Sequence, residues 1–203
     1  MGCGTGFVPV GFIFRTFGDT LGYAYCVAGA VGVTMAYVMD VRDTETLRRA
    51  SDLGIAFQLS NIARDVVDDA RAGRIYVPEA WLIEVGVPLD EVADPAHRAA
   101  VAAAAARLVQ TAEPYYASAR AGIARLPWRA ACGIAAAWGI YREIGLMVRA
   151  RGPAAWDERV ATGPGRKALL AAIGCARATR ARTPIIRRSV VARDGLFTPP
   201  ALA

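Results

Sequence analysis

Lysine is nearly missing from this chain: of 24 Lys and Arg residues only Lys167 is a lysine. Histidine is nearly missing too, with His97 alone. Four cysteines, Cys3, Cys26, Cys132 and Cys175, are scattered with no CxxC pair. That spacing and the lone histidine argue against a zinc site, and buried thiols in a reducing cytosol are expected. No basic stretch precedes the apolar run from Met1 to Phe14, which argues against a secretory signal. Gly6 stands where a myristoylation signal wants Ser or Thr. No internal repeat, strand alternation or aromatic-basic interleaving is found, so no nucleic-acid partner is expected.

What is present suits one globular domain. The 203 residues are 55% apolar and 21% charged, enough for a substantial core and unlike a disordered chain. The net charge of +6 is carried by arginine, whose planar fork suits phosphate and carboxylate oxygens. Charge alone does not choose among nucleic acid, an acidic membrane and an anionic substrate. Thr20 to Met39 is twenty residues without a charge, long enough to span a bilayer. It also carries tyrosines, and Gly22, Gly29 and Gly32 at spacings that admit a neighbouring helix, so a buried core helix is expected.

The rest reads as all-α. Asp43 or Thr44 caps a long helix ending near Ala72, where Gly73 and Pro78 stop it. A loop over 77–95 comes next. Further helices are expected at about 97–112, 114–125, 128–151 and 165–182, with Pro114 in a first turn. The six arginines from Arg177 to Arg193 read as a solvated last helix and tail.

The long helix carries SDLGIAFQLSNIARDVVDDARAGR. At 100° per residue, Gln58, Asn61, Asp65 and Asp69 fall within about 80° of one another. Asn61, Asp65 and Asp69 stack on successive turns, flanked by Ile55, Leu59, Ile62 and Val66 on one side and Phe57 on the other. A narrow polar stripe on an apolar cylinder suits a cavity inside a bundle. Two carboxylates one turn apart repel, so a cation is expected opposite them. Mg²⁺ accepts one or two carboxylates and completes its shell with water and substrate phosphate. A solvated helix end with Arg64 and Arg71 as counterions fits the same pattern. Asp90 and Asp94 also make a DxxxD, in the loop, and no role is assigned to it.

The run LGIAFQLSNIARDVVDDARAGRIYVPEAWL resembles the second aspartate-rich signature of the phytoene/squalene synthase family. Upstream, YAYCVAGAVGVTMAYVMDVRD is similar to that family's tyrosine-rich cavity helix. AEPYYASARAGIARLP, AWGIYREIG and AWDERV resemble later segments in order. The resemblance covers 20–203, with 1–19 unassigned. It implies an isoprenoid-synthase-type helical bundle and a prenyltransferase that joins two geranylgeranyl diphosphates head to head into phytoene. Asn61, Asp65 and Asp69 would then hold Mg²⁺, or Mn²⁺, and a diphosphate, with Gln58 lining the cavity. Tyr23 would stand near the reacting carbons, and Tyr141 and Arg159 would contact diphosphate oxygens. NADPH is not expected for phytoene formation. A cytoplasmic protein with peripheral contact to the inner membrane is expected, because the product is a long hydrocarbon.

The family usually has Arg or His where Cys26 stands, and Cys where Ala24 stands. It also carries an earlier aspartate-rich helix that finds no match here, so the bundle is expected to be incomplete at the N-terminus. Two readings stand: a phytoene synthase whose N-terminal part is lost or lies in trans on another chain, with a squalene or dehydrosqualene synthase using farnesyl diphosphate as its variant; or a non-catalytic remnant that binds a prenyl diphosphate or a partner.

Overall fold

The computed structural model describes residues 13–180 and 192–198. The unassigned residues 1–12 and most of the arginines of the tail, Arg182, Arg187 and Arg188, lie outside that set. The described residues form helices and turns with no strand, an all-α bundle. Thr16 opens helix α1 (Phe17–Ala24) with a capping box shared with Asp19. A π-helical turn (Tyr25–Gly29) leads into α2 (Ala30–Val38). Asp43 caps α3 (Thr44–Arg71) by accepting from the Thr46 N–H, and Gly73, at φ 74°, lies just past its end. The short α4 (Glu79–Glu84), α5 (Arg98–Ile123), α6 (Trp128–Arg151) and α7 (Pro164–Arg180) complete the bundle.

α3 is the axis. Ile55, Leu59, Ile62 and Val67 are essentially inaccessible and pack with Leu108 and Val109 of α5. The polypeptide of α1–α2 lies against α3 almost backbone to backbone. A Cβ built at Gly54 would stand 2.2 Å from the Ala28 carbonyl oxygen, and one at Gly32 would stand 2.4 Å from that of Ala50.

Four expectations change. α5 runs unbroken through Pro114; its neighbours Ala112, Tyr115 and Tyr116 are buried, and that packing outweighs a cost of about 3 kcal/mol for an interior proline. The expected loop over 77–95 contains the helix α4, and Val77, Trp81, Leu82, Val87 and Val92 of it enter the core. The segment from Thr20 to Met39 is not a buried core helix, because only its glycine-bearing side meets α3. Val31, Met35, Tyr37 and Val38 are exposed, Val38 at 75%. By length and composition, Phe17–Val38 and Trp128–Trp156 could each cross a membrane. Finally, Cys132 and Cys175 are joined in a disulfide between α6 and α7 and are only half buried. These two cysteines are therefore a cross-link and not the free buried thiols expected from their spacing.

Gly54→Ala should destabilise the protein by at least about 2 kcal/mol, because a backbone clash outweighs alanine's helical advantage of about 1 kcal/mol. Gly133→Ala, with nothing within 4 Å of its added methyl, should be neutral or stabilising. Urea unfolding of the two variants checks the contrast; a neutral Gly54→Ala would contradict the close approach.

Candidate active site

α3 presents one continuous face that changes character along its length. Ala50, Gly54 and Phe57 share the helical phase of Asn61, Asp65 and Asp69. The N-terminal half of the face is apolar and the C-terminal half carries oxygen. Facing the apolar half, α2 supplies Val31 and Met35 to a groove of about 260 Å³ that Leu53, Gly54 and Phe57 line from α3. Its surface is dominated by carbon, so it suits a hydrocarbon and not a charged group.

At the polar end, arginines stand where a cation is needed. Arg64 reaches Asp65, its Nε donating to Oδ1 at 2.8 Å, and Arg159 lies 3.7 Å from the same oxygen. Arg74 donates to Asp69 Oδ1 at 2.8 Å. Both carboxylates are mostly covered, with 22% and 18% of their side-chain surface exposed. Arg71 pairs instead with Asp68, outside the stripe. The solvated-end reading thus holds for Arg71 and Asp68, while Asp65 and Asp69 face inward. Burial holds the Asp69 carboxyl above its ordinary value; Arg74 opposes this, and the neighbouring charges of Asp65 and Asp68 add to it.

Asn61 supplies the most informative atom. Its Oδ1 is buried and accepts no hydrogen bond, which costs free energy unless a donor or cation fills the place. An orphaned neutral oxygen one turn from a carboxylate, with a second carboxylate one turn beyond, fits a hard divalent cation. The described residues contain no group of three His, Cys, Asp or Glu side chains able to hold a metal. The donor set fits a cation whose remaining ligands come from water and phosphate.

The other expected residues divide. Tyr23 stacks on Tyr76 with ring centroids 4.8 Å apart. Burial first, then a hydrogen bond with Tyr76 and the charge of Asp69, raises its hydroxyl well above the ordinary value, so it stays protonated and near Asp69. Tyr141 stacks on Phe57 at 4.2 Å and interacts electrostatically with Arg64, so it joins the site where the polar stripe and the groove meet. Gln58 is half buried on the same face. Arg159 is largely exposed, 70% of its side chain, and only approaches Asp65. Sequence reasoning missed Arg74 and Tyr76. Their signal was the RIY just past the helix, which Gly73 turns back toward the stripe. Asp94 caps the Ala96 N–H in the 3₁₀ turn Pro95–His97 and takes no part.

Residues 9–166 match the family model for squalene/phytoene synthase. A 15-cis-phytoene synthase of Enterobacter agglomerans is 54% identical over 160 residues, covering 78% of this chain and 54% of that protein. One from Paracoccus sp. is 50% identical over 187 residues, 92% of this chain and 60% of that one. A crystal structure of a dehydrosqualene synthase with a ligand superposes with a TM-score of 0.73 at 26% identity, covering 83% of this chain and 60% of that one. The chain thus spans little more than half the length of these relatives.

Because the folded state favours the protonated Asp69, the stability it contributes is present below its ordinary value near 3.8 and is lost as pH rises through the raised one. At pH 7 the ionised group is a net cost. Asp69→Asn should therefore raise the melting temperature measured at pH 7 without divalent cations, with the gain fading as pH falls toward the ordinary carboxyl range. A lower melting temperature at pH 7 would overturn this reading of the site.

Proposed function

The chain belongs to the squalene/phytoene synthase family, and from that membership we propose that it binds geranylgeranyl diphosphate with Mg²⁺ and serves head-to-head condensation to phytoene. The observation that carries the proposal is the orphaned Asn61 oxygen in line with two arginine-held carboxylates, on the same face of α3 as an apolar groove. An anionic head and a hydrocarbon tail are what such a face accommodates.

Asp65 and Asp69 would take the cation, with Asn61 adding an oxygen without charge. The ion would neutralise the departing pyrophosphate as the allylic C–O bond ionises. Arg64 and Arg74, which hold the two carboxylates, would be placed to meet phosphate oxygens with their forked donors once a cation took those carboxylates. Arg159, already at the rim, joins them. Tyr141 and Phe57 close the boundary between head and tail, with Gln58 beside them. Tyr23 remains a neutral phenol whose ring face attracts a developing carbocation. The groove offers the carbon surface that a prenyl tail would need.

The C20 substrate is preferred over farnesyl diphosphate because the phytoene synthase relatives stand at 50–54% identity, against 26% for the dehydrosqualene synthase. The uncovered apolar side of α2 and a hydrocarbon product support peripheral contact with the inner membrane from the cytoplasm.

The test is incubation of the purified chain with Mg²⁺ and radiolabelled geranylgeranyl diphosphate, followed by extraction of C40 hydrocarbon. Binding is read in parallel as the melting shift produced by Mg²⁺ with geranylgeranyl thiolodiphosphate. A shift of several degrees is expected, at 100-fold saturation about 2.7 kcal/mol, and Asp65→Ala should abolish it. No shift with the folded wild-type chain would refute the proposal.

A further inference from the structure

The segment 192–198 returns to the bundle and inserts one arginine into it. Arg193 has 10% of its side-chain surface exposed and meets Asp52 of α3, which has none. Nε and Nη2 each stand 2.7 Å from a carboxylate oxygen, the forked geometry that makes such pairs strong. On α5, the Ser118 hydroxyl donates to the same carboxylate, and its carbonyl accepts from Arg49, which is paired in turn with Glu45. The Arg193 guanidinium also donates to the Phe197 carbonyl and the Thr198 hydroxyl. One side chain therefore shapes the segment and fixes it to α3.

The segment also grips two other walls. The Phe197 N–H donates to the Tyr115 hydroxyl on α5 at 3.2 Å. Its ring lies 5.8 Å from that of Tyr25, the first residue of the π turn. Tyr25 in turn fills the notch over Gly29: a Cβ there would meet the Tyr25 ring at 2.8 Å and Ser51 of α3 at 3.1 Å. A π turn holds an extra residue per turn and so rotates the helix beyond it. Here that rotation lies between Tyr23, which stacks on Tyr76 beside Arg74 at the polar end, and Val27 and Val31, which face the groove.

We propose that residues 192–198 form a strap whose Arg193 and Phe197 are positioning residues: they clamp the π turn on α3 and thereby hold Tyr23 and the groove wall in register with the polar stripe. The positional role rests on the site reading above; the clamp itself does not. Neither residue touches the candidate site, so each acts through Tyr25 or Asp52. Removing Arg193 would leave a fully buried carboxylate without its cation, which is strongly destabilising.

Amide hydrogen exchange of the full chain over 23–31, read with thermal melting, tests the clamp. Phe197→Ala keeps the ion pair and should accelerate exchange over 25–30 about tenfold with a small melting change, since local opening is separable from global unfolding. Arg193→Ala should do the same with a large loss of melting temperature; Arg193→Lys, which keeps the charge without the fork, should recover part of both. Cys132→Ser/Cys175→Ser serves as control: it loosens α6 from α7, lowers the melting temperature, and should leave 23–31 unchanged. If Arg193→Ala does not fold, Phe197→Ala and Arg193→Lys carry the test. Exchange over 23–31 within twofold of wild type in Phe197→Ala, or an equal rise in the cysteine control, would overturn the strap. Affinity for Mg²⁺ with geranylgeranyl thiolodiphosphate should weaken severalfold in Phe197→Ala and hold in the control. Equal affinity beside accelerated exchange would leave a clamp without positional effect and overturn the proposal. Wild type that binds no analogue would refute the functional reading, and the exchange data would still judge the clamp.

Discussion

The near-contact of two backbones organises this molecule. Gly54 and Gly32 let the chain from Ala28 to Gly32 close on α3 at distances no side chain would permit. Such contact cannot adjust by a rotamer change, because main-chain atoms stand on both sides of it. It fixes where the π turn lies, and therefore where Tyr23 and Val31 stand relative to Asp69 and Phe57. The same closeness leaves the opposite side of α2 uncovered, since a glycine-bearing strip serves only one neighbour.

Electrostatics sets a second constraint on the same helix. α3 buries Asp52 near its beginning and half-buries Asp65 and Asp69 near its end, and each is answered differently. Asp52 has a fork of arginine and a serine hydroxyl, with little left to accept. Asp65 and Asp69 are met by arginines, while the neighbouring Asn61 oxygen has nothing. The first arrangement is closed and structural. The second is open: both carboxylates keep part of their surface accessible, and an acceptor beside them is left without a donor. Stability yields to this: Asp69 is held where ionisation is unfavourable, as expected of a group kept for binding.

Much of this was legible in residue order. The 100° phase of Gln58, Asn61, Asp65 and Asp69 comes from helix geometry, and the capping by Asp43 and the stop at Gly73 are local chemistry that the fold respects. The RIY motif past the helix was visible but silent, since nothing local says that a turn will lay Arg74 on Asp69. Pro114 misled for the opposite reason: its intrinsic penalty is local, and the burial that overrides it is not.

By itself, then, the sequence determined the all-helical class, the central helix and its stripe, because periodicity, caps and turns are properties of neighbouring residues. Only tertiary structure decided which charges meet. Arg193 finds Asp52 across 141 positions, Cys132 joins Cys175 across 43, and the uncharged run of Thr20–Met39 is half exposed and not interior. Each outcome depends on which surfaces close on one another, and pairing at such separations leaves no periodic trace in the order of residues.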